Sequence, residues 1–207
     1  MRTITWYFDF VSPYAYLCLQ RLPEVAAEIA YRPVLFAGLL AHWGQKGPAE
    51  LAPKRLWTYR YCQWQADALG VPFRFPAQHP FNPLHHLRLV IAAGATPQAV
   101  RRIFEAIWTT GADAGDPAAF DALCGELRVA PSVLATPEVK DALRANTEQA
   151  ATRGVFGVPT FEVDGQLFWG ADAIDFLKAV LEDPSILQSA EMERLERLPV
   201  GAARKAS

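Results

Sequence analysis

The chain has 207 residues, 51% of them hydrophobic, with a formal net charge of −2. That length can bury a sizeable core, either as one domain or as a small domain carrying an insertion. The near-neutral balance offers no basic face for nucleic acid, no apolar run is long enough to span a membrane, and three scattered cysteines argue against a disulfide framework or a zinc site. Residues 1–9 lack the apolar run and small-residue cleavage site of a signal peptide, so a cytoplasmic location is expected.

Residues 3–9 read as a strand, 14–29 as a helix and 30–36 as a second strand, with Pro33 suggesting a sheet edge. A loop is expected over 37–46, where Gly38 and Gly44 fall. Helical periods then dominate over 53–69, 82–93, 97–110, 118–127 and 137–153. Residues 157–170 read as two short strands joined by the turn Asp164-Gly165, and 171–181 as the last helix before a charged, alanine-rich tail. That tail has a helical pattern over 185–198 and a mobile end. No internal repeat is present.

The strand-to-helix junction Phe10-Val11-Ser12-Pro13 places a hydroxyl at a helix N-terminus. A proline at the first helical position is tolerated, and serine just before it suits the N-cap. Simple capping explains Ser12. So does chemistry, because N–H groups and the macrodipole at that end favour a thiolate, carboxylate or phosphate. A proline at the start of the first hairpin strand, Pro159, is acceptable at an edge, a first position or a special turn, and a cis bond fits there.

Four segments carry a resemblance to a known family. They are Phe8-Asp9-Phe10-Val11-Ser12-Pro13-Tyr14-Ala15-Tyr16-Leu17, Phe81-Asn82-Pro83-Leu84 with Arg88 after it, Gly154-Val155-Phe156-Gly157-Val158-Pro159-Thr160-Phe161, and Phe168-Trp169-Gly170-Ala171-Asp172. In these the chain resembles the 2-hydroxychromene-2-carboxylate isomerases and their relatives, the kappa-class glutathione transferases and the bacterial DsbA-like disulfide-forming oxidoreductases. The likeness spans about residues 3–182. It implies an α/β, thioredoxin-like fold with a large inserted all-helical domain, and the helical content exceeds that of a minimal thioredoxin domain. The expected division is 1–38 with 143–184 as the thioredoxin-like part, 39–142 as the insertion and 185–207 as a tail.

In the thiol-redox relatives two cysteines stand where this chain has Ser12 and Ala15, so dithiol chemistry is excluded at that site. Cys18 does not replace them, since it points well away from Ser12 at about 100° per helical residue and reads as core. What the resemblance implies instead is glutathione as cofactor, its sulfur held by the catalytic Ser12. Val158, before Pro159, would offer backbone groups to the glutathione cysteine, and the turn Trp169-Gly170-Ala171-Asp172 would meet its γ-glutamyl end. Asp172 reads equally as an acid favouring the dipole of the last helix. A donor from Ser12 and a helix end together supply on the order of 1–3 kcal/mol toward the thiolate.

The implied activity is conversion of 2-hydroxychromene-2-carboxylate to trans-o-hydroxybenzylidenepyruvate by reversible thiolate addition, bond rotation and elimination, in naphthalene-type aromatic breakdown. The small aromatic substrate would need apolar walls, for which Trp43, Trp57, Tyr61 and Trp64 are candidates, and cations, for which Lys54, His85 and Arg88 are candidates, with Asn82 beside them. Trp57, Tyr61 and Trp64 also fit a core stripe, Lys54 a solvated charge, and Asn82 a helix cap. His85-His86 departs from the family; adjacent histidines point about 100° apart and neither is assigned to a metal. A kappa-like transferase and a non-catalytic thioredoxin-like binding module remain open, and the relatives imply a homodimer.

Overall fold

The computed structural model describes residues 2–202. Strand β1 (Thr3–Phe8) is central, because both of its faces meet apolar side chains. Ile4, Trp6 and Phe8 are fully buried on one side. Trp6 stacks on Phe8 at 4.6 Å between ring centroids, and Phe10 meets Phe104 at 4.6 Å. Tyr7 faces the other way, packing with Val34, Leu39, Ala150 and Val155. Each such aromatic contributes roughly 1.5–3 kcal/mol by leaving water.

Strand β2 (Glu28–Pro33) pairs in parallel with β1, β3 (Thr160–Val163) pairs antiparallel with its other side, and β4 (Gln166–Trp169) completes the order β2-β1-β3-β4. Pro33 stands at an edge strand, where its missing N–H breaks no ladder. Asp164 and Gly165, at φ +50° and +78°, make the two-residue turn that an Asp-Gly pair favours. Helix α1 (Pro13–Arg21) follows β1, and α2 (Phe36–Trp43) follows β2. Then come α3 (Ala52–Leu69), α4 (Leu84–Ala92), α5 (Pro97–Trp108), α6 (Pro117–Glu126) and α7 (Pro137–Thr152), all between the β-α-β and β-β-α portions of a thioredoxin-like fold. Helix α7 runs unbroken past residues 142 and 143 and packs against α2, α4 and β2. Helix α8 (Ile174–Glu182) follows β4 after one 3-10 turn, and α9 (Ala190–Glu196) lies in the tail. The expected mobile end falls partly on residues 203–207, which lie outside the described residues. No helix among the described residues is long and apolar enough to cross a membrane.

Two expectations are corrected. The helix expected over 14–29 ends at Arg21, passes through a 3-10 turn containing Pro23 and gives way to β2 at Glu28, because proline lacks the N–H to continue it. The loop expected over 37–46 is mostly helix α2. Its N-cap residue, Leu35, has no acceptor side chain; the acceptor comes from Asp9, far away in sequence. Gly44, read as a loop glycine, ends the helix in the left-handed conformation at φ +61°.

Candidate active site

Four consecutive residues carry the chain from β1 into α1, and each is held by a separate bond. Asp9 is fully buried, and its carboxylate accepts the N–H groups of Val11 at 3.0 Å and Phe36 at 2.8 Å. The Phe10 carbonyl accepts from the Trp108 indole at 3.0 Å. The Val11 carbonyl lies 2.9 Å from His79 Nε2, and since a carbonyl only accepts, that nitrogen carries a proton. Ser12 N–H donates to the Asp9 carbonyl at 3.1 Å. The junction is thereby rigid before any ligand arrives.

Ser12 caps α1, its Oγ accepting from Ala15 N–H at 3.2 Å. Its hydroxyl proton has one long partner, the Val158 carbonyl at 3.5 Å, so it is available to a better acceptor. The Val158–Pro159 bond is cis. Two cavities meet at this point. One, of about 320 Å³, is lined by Asp9, Ser12, Phe36, Leu40, His79 and Phe81, and the other, of about 390 Å³, by Lys54, Trp57, Tyr61, Pro159, Trp169 and Asp172. Tyr14, Pro48, Thr58 and Val158 belong to both. Both volumes fall in the range of small-molecule sites.

Electrostatics differ between the chambers. Burial pushes the Asp9 carboxyl up to about 7. Burial also lowers the His79 pKa and raises that of the Tyr14 phenol. The Ser12 chamber has no lysine or arginine among its described lining residues; the cation of the pair of cavities is Lys54, in the outer chamber. Gln65 lines the outer chamber, and its side-chain carbonyl oxygen is buried with no hydrogen-bond partner among the described residues. Gly157 lies under the Trp169 indole, where an added Cβ would come within 2.5 Å of Nε1. Gly170 takes φ +106°, a conformation open to glycine, and its N–H donates to the Pro159 carbonyl at 2.9 Å.

A family model described as the DSBA-like thioredoxin domain matches residues 3–182. A 2-hydroxychromene-2-carboxylate isomerase of Sphingobium xenophagum is 32% identical over 200 residues, 88% of this chain and 99% of that protein. The chain belongs to the 2-hydroxychromene-2-carboxylate isomerase family of DsbA-like thioredoxin proteins. A solved structure of such an isomerase superposes with a TM-score of 0.79 at 25% identity, covering 92% of this chain and 98% of that one. Human glutathione S-transferase kappa 1 is 25% identical over 205 residues, 87% of this chain and 91% of that protein.

Of the residues singled out in the sequence, the structure brings together Ser12, Val158, Pro159, Trp169, Gly170, Ala171, Asp172, Lys54 and Tyr61 along the two connected cavities. It does not bring Trp43, Asn82, His85 or Arg88 there. The Trp43 indole donates to the Val155 carbonyl at 2.9 Å. Asn82 Oδ1 accepts Leu84 N–H at 3.1 Å, the capping alternative. His85 and Arg88 line a cavity with Phe120 and Asp121 of α6, and Arg88 also borders a second one between α2, α4 and α7, neither of them the Ser12 chamber. Trp57, Tyr61 and Trp64 form a stacked ladder rather than a core stripe, with Trp57 58% and Trp64 62% exposed.

Sequence reasoning missed Asp9, His79 and Thr58. Asp9 stood inside the opening motif, and a charge within an otherwise apolar strand end was its signal. His79 had none: it lies in a coil and reaches Val11 only through the fold.

Proposed function

We propose that this protein is a glutathione-dependent isomerase interconverting 2-hydroxychromene-2-carboxylate and trans-o-hydroxybenzylidenepyruvate. The observation that carries this reading is the Ser12 hydroxyl, at the N-terminus of α1, lining an inner, largely apolar chamber beside Val158, which that chamber shares with an outer, peptide-sized cleft. When bound, glutathione supplies a thiol that adds to a conjugated enone and leaves again, freeing rotation about the intervening bond.

The chain's own residues do the rest. Ser12 O–H turns from the distant Val158 carbonyl to a sulfur anion, and the Ala15 N–H that donates to Oγ polarises it as a donor. Helix α1 adds its positive end, so the sulfur is held ionised without a general base. Val158 offers its backbone to the ligand's cysteine, while Trp169, Gly170, Ala171 and Asp172 receive the γ-glutamyl end. Phe36, Leu40 and Phe81 exclude water around an aromatic substrate, and Lys54 and Tyr61 stand at the outer rim for its carboxylate.

The 25% identity to a kappa-class transferase favours a second reading with the same site, conjugation of glutathione to another electrophile. Absorbance-followed conversion of 2-hydroxychromene-2-carboxylate with and without glutathione, with free thiol assayed before and after, separates the two. Conversion that needs glutathione and leaves thiol unchanged supports the isomerase; thiol consumption supports the transferase; tolerance of Ser12→Ala in both assays supports a binding module. A cytoplasmic homodimer acting in naphthalene-type aromatic catabolism, with the thioredoxin-like part at 1–38 and 143–184, the insertion at 39–142 and the tail at 185–207, completes the proposal.

A further inference from the structure

A cavity of about 350 Å³ opens on the far side of α2, between α2, α4 and α7. Gly38 and His42 of α2 line it, whereas Phe36, Ala37 and Leu40 of the same helix face the Ser12 chamber. The two cavities share no lining residue, and a single helix is the wall between them.

The charge around this cavity runs against that of the chain as a whole. Arg88, Lys140 and Arg144 line it together with His42, facing one carboxylate, Glu148. Arg144 is engaged by Asp141 at 3.0 Å, but among the described residues no carboxylate lies within 4.0 Å of a side-chain nitrogen of Arg88 or Lys140. Asp121, which shares the neighbouring cavity with Arg88, forms no ion pair with it either. Arg88 Nε is buried with no hydrogen-bond partner among the described residues. A buried guanidinium donor with nothing to bind is costly, and the planar fork of arginine matches a carboxylate in two parallel bonds. Leu35, Leu84, Leu143 and Ala151 form the apolar part of the lining, which a bare inorganic anion would leave unfilled.

We propose that this cavity is a second ligand site, distinct from the Ser12 cleft, that takes a small organic carboxylate with an apolar, ring-sized body. The carboxylate sits at Arg88 with Lys140 beside it, and the ring lies on the leucines. This does not depend on the glutathione reading.

The test is titration of the ¹⁵N-labelled full chain with 2-hydroxybenzoate, with benzyl alcohol and inorganic phosphate as separate probes, following the amides of Gly38 and Thr147, both in the lining. Saturable shifts at these amides with 2-hydroxybenzoate are expected, with benzyl alcohol and phosphate at least about tenfold weaker. Arg88→Met should weaken 2-hydroxybenzoate by about tenfold and Lys140→Gln by about threefold, while Ser12→Ala leaves it unchanged. Shifts confined to the Ser12 cleft, absence of saturation, or phosphate binding as tightly as 2-hydroxybenzoate would overturn the proposal. Should Arg88→Met fail to fold, Lys140→Gln and Arg144→Glu, at exposed positions, carry the same comparison, and no loss of affinity in either overturns it.

Discussion

Asp9 Oδ2 accepts the backbone N–H of Phe36 at 2.8 Å, so the carboxyl at the end of β1 caps a helix that begins 27 residues later. Through its other oxygen it holds Val11, next to Ser12. One buried group thus ties the serine junction to the helix that walls the inner chamber.

That burial sets a pH dependence. The Asp9 carboxyl is pushed up to about 7, above its ordinary value near 3.9 in an unfolded chain. The folded state holds this proton more tightly, so the stabilisation is complete below about pH 4 and lost as pH rises through about 7. Relative to Asp9→Asn, the wild-type unfolding free energy in urea should fall by about 3 kcal/mol between pH 5 and 8. Parallel curves for the two proteins would show that Asp9 does not titrate in this window.

His86 acts in the opposite direction. Its ring is packed among Phe10, Phe81 and Phe120, its Nδ1 is buried without a partner, and burial pushes its pKa down to about 4. The unfolded chain binds the proton more readily, so stability is present above about pH 6.5 and lost as pH falls toward 4. His86→Phe removes both the titration and the orphaned nitrogen. Between pH 7 and 4.5 it should lose about 2 kcal/mol less than wild type, read by chemical denaturation at each pH.

Ser12→Ala separates stability from catalysis. Loss of the bond to Ala15 N–H removes an N-cap and should lower the unfolding free energy by about 1 kcal/mol. Loss of the donor to sulfur should lower kcat/KM for the chromene carboxylate by about 10- to 100-fold, mainly through kcat. An unchanged rate together with the stability loss would leave Ser12 as a cap alone.

Gly157→Ala tests the outer cleft without touching Ser12. The new methyl meets the Trp169 indole and must displace it from the cleft wall. The KM for glutathione should rise by about threefold to tenfold with little change in kcat. A KM equal to wild type would place the ligand away from Trp169.

The cleft components nearest the chain's two signature segments were readable in advance. Ser12-Pro13 announces a helix start because within a helix proline is tolerated in the first turn, and Asp164-Gly165 announces a two-residue hairpin because both of its residues tolerate positive φ. Helix α2 was not readable, since its cap comes from Asp9 rather than from Leu35. Lys54 and Tyr61 reach the cleft while His85 and Arg88 do not. Helical spacing defines a face, but which neighbour that face meets is set by the packing of α4 against α5 and α7.

By itself the sequence determined the local chemistry: an aromatic strand, a serine at a helix N-terminus in place of a thiol, a proline opening a hairpin, and the family these patterns mark. The tertiary structure alone decided that Ser12 and Val158 lie 3.5 Å apart across 146 residues, that His79 pins Val11, and that the expected cations turn away from the inner chamber. Short-range preferences are encoded residue by residue through φ, ψ and capping, whereas which side chains share a cavity depends on how the helices pack over the sheet, a property of the whole chain.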